Sequence, residues 1–100
     1  MAYTDDPVLR LLPPEPPNSF LRLPPDEQAW RGRMWISMYG AGYDPGHAWW
    51  FVLWTDDAEW EAWAKDLISK VPDDPREFAA MIDARQRFDA ELARQAERPQ

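Results

Sequence analysis

Cysteine is absent from this 100-residue chain, histidine occurs once and glycine four times. Without thiols there is no disulfide framework and no thiolate metal site, although a cysteine-free chain suits any redox compartment. His47, the single histidine, would have to serve every nucleophile relay, and no nucleophile motif surrounds Ser19, Ser37 or Ser69. Gly40, Gly42 and Gly46 cluster in one short stretch and do not form a phosphate-cradling loop. Positive charge is scarce: 11 Lys and Arg against 18 Asp and Glu leave a net charge of −7. A nucleic-acid backbone would meet a repulsive surface, with no basic patch to reverse it. No run approaches the roughly 18 apolar residues of a spanning helix. The start, "MAYTDDPVLR", has neither a basic n-region nor an apolar h-region. These absences set the expectation of a non-catalytic cytoplasmic protein without cofactor or metal, and without direct contact to nucleic acid or membrane.

What is present is apolar, aromatic and rich in proline. Hydrophobic residues make up 45% of the chain and seven residues are tryptophan, which is enough for one core. Seven of the eleven prolines fall within residues 1–29, where fixed φ and missing N–H groups argue against an ordinary helix or a central strand. An extended arm is the expectation there, with one helical turn at "PPDEQAW". Val8, Leu9, Leu11, Leu12, Phe20, Leu21 and Leu23 alternate with the prolines, so the arm needs a surface to lie on. Arg10, Pro13 and Pro16 have the spacing of a PxxP ligand, but the interleaved apolar residues favour packing over a free motif.

"RMWISMY" (33–39) and "AWWFVLW" (48–54) are rich in aromatic and branched residues, and "GAGYDPGH" between them can reverse the chain. The pattern predicts a β-hairpin greasy on both faces. Two amphipathic helices follow. Trp60, Trp63, Ala64, Leu67, Ile68 and Val71 recur at three- and four-residue steps after a cap at Thr55 or Asp56, and Pro72 ends the run. Asp74, Pro75 and Glu77 open the second helix, with Phe78, Met81, Ile82, Phe88 and Leu92 on its stripe and a last part too long for the core. The expected fold class is α+β: a Pro-rich extended arm over residues 1–29, then a single small ββαα domain over 30–100.

Candidate sites follow from what such a fold leaves over. Asp44 and His47 in "YDPGH" could be imagined as an acid/base or metal pair, but this composition belongs to a turn. The carboxylate pairs Asp56/Asp57 and Asp73/Asp74 stand where helix caps are expected. Asp56, Asp57, Glu59 and Glu61 nevertheless crowd the start of one helix beyond what one cap requires, and they suit a basic protein partner. Trp35, Tyr39, Tyr43 and Trp50, on or beside the hairpin, are candidate anchors for that partner. In size, acidity, aromatic excess and lack of a catalytic kit, the chain resembles small phage-encoded inhibitors of host defence such as anti-CRISPR proteins. That is a resemblance of composition rather than of motif, and it implies the host cytoplasm as the setting. The expected function is an inhibitor or modulator of a larger basic, nucleic-acid-handling partner. The alternative is a virion or enzyme-complex subunit docking through its arm. A homodimer through the hairpin stays open.

Overall fold

A computed structural model describes residues 5–13, 15–55 and 57–97. After a 3-10 turn at Leu9–Leu11, five helices follow: α1 Asn18–Leu21, α2 Pro25–Gly40, α3 Pro45–Trp54, α4 Ala58–Ser69 and α5 Pro75–Glu97. Among the described residues there is no strand, so the expected α+β fold and its β-hairpin are overturned: both expected strands are helical.

The local reasons are explicit. Pro25 takes the first position of α2, with Asp26 and Glu27 in its first turn, and the helix expected to stop after one turn runs for 16 residues. "GAGYDPGH" does reverse the chain, but between two helices. Gly42 takes φ +112°, a left-handed value open to glycine, and the Tyr43 N–H returns to the Met38 carbonyl at 3.1 Å, closing the helix end. Asp44 then caps α3 by accepting the His47 N–H at 3.1 Å, with Pro45 at the first position. Asp74 and Pro75 open α5 in the same way, the Asp74 carboxylate accepting the Arg76 N–H at 2.9 Å. An all-apolar run such as "AWWFVLW" has no polar residue to reveal whether its period is 2 or 3.6, and aromatic enrichment tilts the reading toward a strand.

α2 is the centre of the molecule, with α3, α4 and α5 each packed against it. Met34, Trp35, Ile36 and Met38 are therefore buried on successive faces of one helix. Burial from several sides explains a segment that looked greasy in both directions.

The arm covers α2 as well. It is a turn and a short helix rather than an extended chain, and Val8, Leu9, Leu12 and Phe20 lie in the core. Buried Gln28 donates its side-chain amide to the Phe20 carbonyl at 3.2 Å, fixing the arm's second half. Arg33 fixes the first: its guanidinium bonds Asp6 at 2.8 Å and, across α2, Asp73 at 2.7 Å. Burial opposes the charge on Arg33, but the two carboxylates outweigh it and raise the pKa above the ordinary arginine value. None of the helices is long and apolar enough to cross a membrane, among the described residues.

Candidate protein-interaction surface

α3 contains no charged residue. Ala48 and Val52 face the core, while Trp50 and Trp54, four residues apart, point outward with 53% and 64% of their surface exposed. The His47 ring stacks on Trp50 at 6.0 Å and meets Phe51 edge-on at 5.0 Å. Its backbone N–H is the one capped by Asp44, so these two residues form a helix start with an aromatic cluster above it.

α3 and α4 both pack on α2, and residues of all three helices line an open apolar groove of about 330 Å³. Met34 and Met38 of α2 form its floor, Phe51 one wall, and Trp63 and Leu67 the other, with Tyr43 contributed by the α2–α3 loop. Ser37 also lines the groove, and its hydroxyl is shielded from solvent without a hydrogen-bond partner. Methionine floors adapt to varied apolar occupants. The α4 stripe thus divides: Ala64 is buried and Trp60, Ile68 and Val71 pack partly, while Trp63, expected in the core, is 55% exposed.

The residues expected to meet a partner fall into distinct places. Trp35 is buried at 2% exposure, stacked between Tyr39 at 5.1 Å and Trp49 at 5.0 Å, with its indole N–H donating to the Pro45 carbonyl at 3.1 Å. It is a core residue. Tyr39 is half-buried under the Arg85 guanidinium, 4.6 Å from its ring centre. Tyr43 and Trp50 are exposed.

Of the acids, Asp57 caps α4 by accepting the Glu59 N–H at 2.8 Å. Glu61 pairs with Lys65 at 2.9 Å, and that hydrogen bond holds its carboxyl below the ordinary value. Glu59 is exposed beside them, and Asp56 lies outside the described residues. Trp54, Trp63 and Leu67 were missed as surface residues. The signal available for the first was a Trp50–Trp54 pair at helical spacing behind an Asp-Pro helix start.

Compared with family models, curated proteins and solved structures, the chain matches none.

Proposed function

We propose that this chain is a small non-catalytic protein-binding module that inhibits or modulates a larger basic partner through the outer face of α3 and the corner leading into α4. One observation carries the reading: an uncharged helix holds Trp50 and Trp54 out to solvent, and Trp54 stands three residues before Asp57, which with Glu59 makes the acidic start of α4. Exposed indoles are anchors of the kind that dominate binding energy, and acids at their edge steer a basic surface toward them. Proteins that handle nucleic acids carry such surfaces. Docking of the arm on a neighbour finds less support, because Val8, Leu9, Leu12 and Phe20 are already buried in the chain's own core.

The test uses the tagged chain as bait in an extract of the cells that encode it, beside Trp50→Ala/Trp54→Ala and Asp57→Asn/Glu59→Gln variants. Asparagine still caps α4, so the acid variant keeps its fold. A basic protein held by the wild type should be lost by the indole variant, with each tryptophan worth about 2 kcal/mol, roughly thirtyfold in affinity. The acid variant should bind it more slowly and with a flatter salt dependence. Capture of the same proteins by all three baits would overturn the assignment of this face.

A further inference from the structure

The apolar groove contains one group that the fold leaves unused. Met34, Ser37 and Met38 follow one another at helical spacing along the groove side of α2, so the serine stands between the two methionines of the floor. A serine inside a helix commonly returns its hydroxyl to the carbonyl four residues back. The Ser37 hydroxyl makes no such bond: it is shielded from water and has no hydrogen-bond partner among the described residues. A shielded hydroxyl without a partner destabilises a fold, and alanine at the same place would remove that cost and favour the helix. Two smaller cavities, of about 270 and 250 Å³, differ on this point. In one the Trp35 indole N–H is already bonded to the Pro45 carbonyl, and in the other the Arg33 guanidinium is already bonded to Asp6 and Asp73.

We infer that the groove binds an uncharged ring compound carrying one hydroxyl, which lies between the walls and shares a hydrogen bond with Ser37. Its volume, about 330 Å³, falls at the lower end of small-molecule sites, about 300 to 1,000 Å³. The walls suit a flat apolar body: Phe51 stands on α3, Trp60 and Trp63 stand on α4, and aromatic rings pack with one another edge-on or offset. Met34 and Met38 are unbranched, so they can shift to admit the ligand's oxygen to the hydroxyl they flank. Charge narrows the class further. None of the described residues that line the groove is charged, so an ion settling on the floor would give up its water with no opposite charge to receive it. The other hydroxyl of the lining, on Tyr43, belongs to an exposed residue and needs no ligand. One hydroxyl on the ligand is enough for Ser37, since serine both donates and accepts. Trp50 and Trp54 do not line the groove, so this site and the partner face stand or fall separately.

Titration of the isotope-labelled full chain, followed through its amide and indole N–H resonances, tests this with β-naphthol, which is uncharged at neutral pH and carries the hydroxyl. Naphthalene lacks the hydroxyl, and β-naphthoate carries a charge in its place. β-Naphthol should shift Ser37, Phe51 and the Trp63 indole saturably and bind about fivefold more tightly than naphthalene, the worth of one hydrogen bond. β-Naphthoate should bind more weakly than either. Ser37→Ala should bind naphthalene as the wild type does and lose the preference for β-naphthol, and Trp63→Ala should weaken both about fivefold by removing an aromatic wall. Ser37→Ala should also withstand more denaturant than the wild type, because no internal bond is lost. No saturable shift, shifts confined to other faces, a preference that survives Ser37→Ala, β-naphthoate binding as tightly as β-naphthol, or a destabilised Ser37→Ala protein would each overturn the proposal.

Discussion

Leu9 stands where a side chain at position 32 would have to go: a Cβ built on Gly32 would lie 2.3 Å from the Leu9 Cδ2. Both residues are buried. The glycine costs α2 about 1 kcal/mol of helix propensity relative to alanine, and in return the arm lies directly against the central helix.

Gly32→Val should therefore destabilise the fold. It recovers only a few tenths of a kcal/mol of propensity, whereas forcing atoms into a filled site typically costs about 1 to 3 kcal/mol. Denaturant melts of Gly32→Val, Leu9→Ala and the double variant would show it. The double variant should lose less than the sum of the singles, because alanine at position 9 vacates the contested space. Strict additivity would mean that the two sites do not meet.

Arg33 ties the arm to the α4–α5 linker across α2, and Arg33→Met should remove both ties. Breaking a fully buried pair costs about 3 to 5 kcal/mol. Here the Asp73 side chain is mostly exposed, so solvent screening brings the expectation down to about 1 to 2 kcal/mol. Asp73→Asn should cost less than Asp6→Asn, whose carboxylate is the better shielded of the two. The reverse order in chemical melts would place the stronger tie on the linker side.

The Glu61 carboxyl is held below its ordinary value by its hydrogen bond from Lys65, and the Asp74 carboxyl by the Arg76 backbone N–H and guanidinium. A depressed carboxyl contributes stability that is fully present above its unfolded value, about 4, and is lost as pH falls through the lower folded value. The contribution of these groups should be flat from neutral pH down to about 5 and disappear below that. Urea melts of wild type and Glu61→Gln/Asp74→Asn over pH 7 to 3 should show a gap between the two proteins that closes only in the acid range. A gap that widens on acidification would contradict the sign.

The helices α4 and α5 were legible because polar residues interrupt their apolar stripes and expose the 3.6-residue period. α3 was not, since ten residues without a charge show no period, and α2 was not, since it is covered from several sides and its buried residues adjoin one another. The information that could have decided lay in a repeated device: Asp44–Pro45 and Asp74–Pro75 are the same start signal, read once as a turn and once as a helix. The candidate site suffered for the same reason. A strand places Trp50 and Trp54 on one face together with Ala48 and Val52, whereas a helix sends the alanine and valine inward and the indoles out.

The two tryptophans Trp35 and Trp63 separate the helical structure from the sequence expectation most sharply. On periodicity alone Trp63 is the centre of an amphipathic stripe, and its truncation should cost about 3 to 5 kcal/mol. In the structure it is Ala64 that contacts the core at that turn, and Trp63 forms a groove wall with over half its surface in water. Trp63→Ala should then cost no more than about 1 kcal/mol, the size of a surface effect. Ala64→Leu should cost more, because its site has no room and overpacking costs about 1 to 3 kcal/mol. Trp35→Ala removes an indole stacked between Tyr39 and Trp49 and leaves the Pro45 carbonyl without its donor, so about 3 to 5 kcal/mol or outright unfolding is expected there. Chemical denaturation of the three variants ranks them, and a Trp63→Ala loss as large as that of Trp35→Ala would mean that α4 is turned with Trp63 toward the core and that the groove does not exist.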